Sequence, residues 1–135
     1  MSDVNEPVKQ MTEDECWERL ESTSFARLAT AAMGDVQITP VNYVVRDRQL
    51  VLRTAEGGKL ASLVVQSRVA VEIDEIAGDH AWSVIGKGDA HMVHNADEAD
   101  ALDDVGLRPW VDTRKEVFVT IDLDEVSGRE FVLSR

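Results

Sequence analysis

From Phe25 onward the chain is written in short alternating runs, and that rhythm constrains its fold more than any other feature. Phe25–Ala31 is one run. Val36 and Ile38, then Val41, Tyr43 and Val45, form a second whose alternation changes phase at Pro40. Period-two alternation marks strands with one buried face. A proline at a phase change marks a bulge or bend in one long strand. Asp47-Arg48 closes a tight hairpin into Leu50–Thr54. Val69, Val71 and Ile73 alternate with Ala70, Glu72 and Asp74, and Ile76–His80 reads as a loop. Ala81–Val93 reads as the longest strand, with Gly86 and Gly88 where a sharp coil or a close backbone approach is needed. Val117–Ile121 and Val126–Leu133 read as two closing strands.

Helical signals are fewer. Thr12-Glu13-Asp14-Glu15 has the form of a capping box, and Cys16, Trp17 and Leu20 follow at helical spacing to about Glu21. Leu60, Leu63 and Val64 mark about two turns. Asn95 opens a third helix, with Ala99, Leu102 and Val105 on its apolar face and Gly106 as its stop. Residues 1–11 are polar without a period and read as a flexible arm; residues 12–135 read as a single domain. The pattern predicts a mainly β chain with a few short helices, its antiparallel sheet closed into a small barrel.

The formal net charge of −12 argues against nucleic acid and membrane surfaces as partners. No apolar run approaches the about 20 residues that span a bilayer, and the acidic start lacks the form of a signal peptide. A cytoplasmic protein is expected. One cysteine, Cys16, excludes an internal disulfide and a cysteine metal cluster, and reads as a small apolar residue on the inner face of its helix. His91 and His94 fall on opposite sides of a strand and its exit, so no metal site is expected. His80 beside Trp82 could approach a ligand at the barrel mouth, although a surface histidine is the plainer reading. Ser83 lacks the Gly-x-Ser-x-Gly elbow of a hydrolase nucleophile.

In so acidic a chain, a small anionic ligand needs a local basic site. The stretch Leu50–Thr54, Ala55-Glu56-Gly57-Gly58-Lys59 and a helix from Lys59 offers one. Its glycines let backbone N–H groups converge, the helix start adds a positive dipole end, and Arg53, Thr54 and Lys59 add two cations and a hydroxyl. The same stretch also reads as a polar turn between a strand and a helix.

Five segments, in order, carry a resemblance: Phe25-Ala26-Arg27-Leu28-Ala29-Thr30; Ile38-Thr39-Pro40-Val41-Asn42-Tyr43; Leu52-Arg53-Thr54 with Gly57-Gly58-Lys59-Leu60; Val69–Asp74; and Trp82-Ser83-Val84-Ile85-Gly86-Lys87-Gly88. Together they resemble the pyridoxamine 5′-phosphate oxidase-like family of flavin-binding split barrels, in its short bacterial, nitroimidazole-reductase-like branch. The resemblance implies a six- to seven-stranded antiparallel split β-barrel of the FMN-binding type. It also implies a homodimer with flavin mononucleotide (FMN) at the subunit interface. By the same resemblance Arg53, Thr54, Gly58 and Lys59 hold the phosphate, and Pro40, Val41, Asn42 and Tyr43 flank the isoalloxazine ring. Trp82 and Ser83 belong to the strand reaching toward the ring or ribityl chain across the dimer. Val41, Tyr43 and Trp82 would line an apolar slot for the ring.

The implied function is an FMN-dependent oxidoreductase taking a small-molecule substrate and an electron donor. No catalytic residue stands out, because the flavin carries the electron transfer. Family members that use the deazaflavin F420 or heme leave two alternatives open: an F420-dependent reductase, and a non-catalytic flavin- or heme-binding or sensing module. The end Gly128–Arg135 lacks the paired arginines and histidine that serve pyridoxamine phosphate itself, which argues against that activity.

Overall fold

The computed structural model describes residues 7–55, 68–93 and 116–134. The strands are β1 (Val8–Gln10), β2 (Phe25–Ala32), β3 (Asp35–Asn42), β4 (Val44–Arg46), β5 (Gln49–Ala55), β6 (Arg68–Ala77), β7 (His80–Met92) and β8 (Glu116–Val132), with helix α1 at Glu13–Ser22. The helices expected at Leu60–Val64 and from Asn95 lie outside the described residues.

α1 starts where its cap dictates. The Thr12 hydroxyl accepts from the Glu15 N–H, and the Glu15 carboxylate accepts from the Thr12 N–H. These bonds satisfy donors that the first helical turn leaves unpaired. They also hold the Glu15 carboxyl below its ordinary value of 4.5. A lowered folded pKa contributes stability that is present above the unfolded value and lost as pH falls through the folded one. Thr12→Ala is therefore expected to cost about 1 kcal/mol in denaturant titration. The stability gap between wild type and Glu15→Gln should close as pH falls below the mid-fours.

Seven strands run in the order β3-β2-β6-β7-β8-β5-β4, all described pairs being antiparallel, and β1 adds to β8. The outermost strands of this path, β3 and β4, are consecutive in the chain through Tyr43. A sheet whose two ends are joined by one residue has to curl on itself, which makes the split barrel. β5 covers one edge of β8 from Glu116 to Asp122, and β1 takes up the same edge at Arg129–Phe131. Part of the expected N-terminal arm is thus a strand, because β8 still has unpaired backbone groups to offer it.

The interior is filled by one side of each strand: Leu28, Leu50, Leu52, Val71, Ile73, Val84, Val119 and Ile121 are buried there. α1 covers one end with Cys16, Trp17 and Leu20. Burial pushes the Cys16 thiol pKa up, as expected of an inert core cysteine. Arg48 fastens the β4–β5 turn to α1, with its guanidinium 5.3 Å from the Trp17 ring centroid and Nη2 3.0 Å from Asp14.

The last two expected strands are one. β8 runs for 17 residues because a bulge at Asp124 absorbs the change of phase between Val119–Ile121 and Val126. The irregularity falls opposite Lys87/Gly88. A Cβ on Gly88 would overlap the Asp122 carbonyl, which is the close approach the paired glycines predicted. The expected loop at Ile76–His80 shrinks to a turn at Gly78-Asp79, since β6 and β7 stay paired out to Ala77 and His80.

Candidate functional site

Alternation along β5 sends Arg53 and Thr54 to opposite faces. Leu50 and Leu52 point into the barrel, so Thr54 shares their side while Arg53 lies outside with Val51. Arg53 is half-buried, its guanidinium carbon 5.3 Å from the Phe118 ring centroid, directly across the β5–β8 ladder. Both residues sit where β5 ends and the expected cradle begins. Gly58 and Lys59 lie outside the described residues.

The segment Pro40–Tyr43 splits in the same way. Pro40 and Asn42 face outward, whereas Val41 and Tyr43 are core residues. The Tyr43 hydroxyl donates to the Leu20 carbonyl at 2.8 Å, its N–H donates to Ser24, and burial pushes its phenol above the ordinary value. Its side chain is a pillar between the barrel and α1 rather than a wall of an open slot. Tyr43→Phe is accordingly expected to lower stability by about 1 kcal/mol in urea titration, since it removes a buried hydrogen bond that ties the barrel to the end of α1.

Trp82 and Ser83 also part company. Trp82 is turned inward, with Arg19 of α1 4.7 Å from its ring centroid, and its Nε1 has no hydrogen-bond partner among the described residues. Ser83 faces out. Within the chain Trp82 and Arg53 are held at opposite ends of β8, paired with Glu130 and Phe118 respectively. The apolar slot expected from Val41, Tyr43 and Trp82 is therefore barrel interior, because alternation turns all three toward the core.

What the alternation brings together instead is an outward face on β3, β2, β6 and β7. Val36 and Ile38 are 68% and 69% exposed, Ile85 is 41% exposed, and Ala29 and Ala70 lie between the two isoleucines' strands. Arg27, Ala29, Ile38, Ala70, Glu72 and Ile85 line a shallow cavity of about 230 Å³ there. Arg27 reaches Glu72 and Asp74 at 3.3 Å each, so its charge is answered locally. The sequence reading missed this face because Val36 and Ile38 were read only as strand-forming residues. The phase change at Pro40, which separates them from the buried Val41 and Tyr43, was the available signal.

His80 is exposed and paired with Asp79, and His91 is exposed with Nε2 3.5 Å from Asp122. Among the described residues no group of histidine, cysteine and carboxylate side chains could hold a metal ion, and no helix is long and apolar enough to cross a membrane.

An antiparallel split barrel with a basic strand end places the chain among barrel proteins of the pyridoxamine 5′-phosphate oxidase type. The family profile described as pyridoxamine 5′-phosphate oxidase matches residues 12–130, and the chain belongs to that family. A Corynebacterium glutamicum protein provisionally assigned as a pyridoxamine 5′-phosphate oxidase is 37% identical, with 98% of this chain and 99% of that chain covered at a TM-score of 0.89. The FAD binding protein from Mycobacterium smegmatis is 32% identical over 93% of this chain and 100% of its own, at a TM-score of 0.84. An uncharacterised Mycobacterium tuberculosis protein is 35% identical over 88 residues, 65% of this chain and 80% of that one.

Proposed function

We propose that the chain binds a flavin by its ribityl phosphate at the end of β5 and acts, as a homodimer, as a flavin-dependent oxidoreductase on a small organic molecule. The observation that carries this reading is Arg53: a half-buried guanidinium at a strand end, steadied by an aromatic ring, in a chain of net charge −12. A phosphate takes paired charge-assisted hydrogen bonds from such a group, and the glycine-rich sequence after β5 would add backbone donors. Arg53 fits the group: it would hold the phosphate with Gly58 and Lys59, while Thr54 turns to the other face of β5, and Pro40, Asn42 and Ser83 would offer outward-facing polar and backbone contacts.

A bound flavin supplies the electron transfer, and the protein's part is to orient it and exclude water. The resemblance in sequence points to FMN, and the name of the Mycobacterium smegmatis relative points to FAD. The ribityl phosphate is common to both, so the role of Arg53 is the same for either. The outward apolar face supports the homodimer: residues as exposed as Val36 and Ile38 are what a second copy would cover.

The test is the visible absorption spectrum of the purified protein with FMN or FAD added, for wild type and for Arg53→Ala with Lys59→Ala. The expected result is a flavin band lost in the double variant, with reduction by a nicotinamide donor marking an oxidoreductase. A Soret band or a preference for deazaflavin F420 would replace the cofactor, and a protein that takes up no chromophore would overturn the reading.

A further inference from the structure

We infer that Arg68 and Asp124 are positioning residues for the phosphate-binding stretch, a role that rests on the flavin reading above. That stretch, with Gly58 and Lys59 in its sequence, joins the end of β5 to the start of β6. Its two ends are held differently. Ala55 is held in the ladder opposite Glu116 of β8. Arg68 is the first residue of β6, and among the described residues β7 alone pairs with it, because β2 reaches β6 only at Ala70–Glu72. A strand end with a ladder on one side alone frays readily.

Arg68 makes up for the missing ladder. Its guanidinium crosses β7, 3.6 Å from Asp89, and makes a two-pronged contact with Asp124 of β8, one prong 2.7 Å long. Glu125 stands 3.9 Å away. Asp124 is available because it is the extra residue of the bulge: Gly88 pairs with Leu123 and Lys87 with Glu125, so no residue of β7 stands opposite it. A bulge takes one residue out of the ladder and re-aims its side chain. Planar two-pronged pairing fixes orientation as well as distance, which the point charge of a lysine would not. Carboxylates answer the charge of Arg68, so its part is to hold the strand rather than to bind the ligand. The bulge thus ties the start of β6 to β8, the strand that also holds the end of β5.

The sign of one substitution separates positioning from plain charge. Asp124→Ala removes a negative charge, and by its field alone would tighten an anionic ligand. The expected result is the opposite: FMN weakened about two- to fivefold, the range an exposed ion pair commands, with riboflavin, which has no phosphate, unchanged. Arg68→Ala with Asp124→Ala, which restores the net charge, should weaken FMN no further, since both substitutions remove one contact. In ligand-free protein, amide hydrogen exchange at Arg68 and Val69 should speed up in Asp124→Ala while exchange at Ile73 stays as in the wild type. FMN held as tightly or more tightly by Asp124→Ala would overturn the inference. So would equal weakening of FMN and riboflavin, which marks a merely structural pair. Unchanged exchange at the start of β6 overturns it without any flavin present. A wild type that binds FMN no better than riboflavin removes the phosphate reading instead, and this role with it.

Discussion

Gly88→Ala is expected to leave little folded protein. The added methyl would enter the space of the Asp122 carbonyl, close also to the Leu123 backbone, at the point where β8 takes its extra residue. Backbone on both sides cannot rotate away, so the clash is relieved only by undoing the bulge or parting β7 from β8. Overpacking a well-filled site costs about 1–3 kcal/mol when side chains can yield. Here the cost should reach or exceed the top of that range, a large part of the about 5–15 kcal/mol that holds a domain together. Gly86→Ala is the control. Its methyl would meet the Leu123 Cδ1 at 2.7 Å and Val71 Cγ2 at 3.3 Å, both side-chain atoms. Denaturant midpoints should fall far more for Gly88→Ala than for Gly86→Ala, and equal losses would remove the bulge from the argument.

The second large effect concerns assembly. Ile38→Glu with Ile85→Glu would set two carboxylates on the outward face, where the proposed second copy removes them from water without a partner. Light scattering is expected to show the wild type as a dimer and the double variant as a monomer, with the far-ultraviolet circular dichroism unchanged because neither side chain belongs to the barrel interior. Weakening should exceed a hundredfold, since an unpaired buried charge costs several kcal/mol. A wild type that is monomeric at micromolar concentration would refute the proposed dimer. A dimer that survives both substitutions would place the interface elsewhere.

The barrel was legible because alternation states which side of a strand is buried, and Val69–Asp74 shows it plainly. Thr12 and Glu15 announced α1 just as directly, since a capping box is a local hydrogen-bond pattern and needs no distant partner. What alternation could not say is which strand lies beside which. β1 was missed because Val8–Gln10 is too short to carry a period, and β8 was read as two strands because a bulge looks like a boundary from within one strand. The motif around Pro40–Tyr43 carries no mark of the split between faces, so Tyr43 reads in sequence as a ligand contact, whereas in the structure its side chain is buried and braces α1.

β8 pairs with β1, β5 and β7, and in the chain it follows every other described strand. A nascent chain that has already delivered β1 to β7 still lacks the surface on which three of them assemble. The pairing of Val8 with Phe131 spans almost the whole sequence, so closure waits on a contact between early and late segments. High sequence separation of this kind slows folding and prolongs exposure of unpaired strand edges. During synthesis from the N-terminus, β3-β2-β6-β7 and β4-β5 have their partners early, whereas β1, β5 and β7 reach a common neighbour only once β8 has emerged.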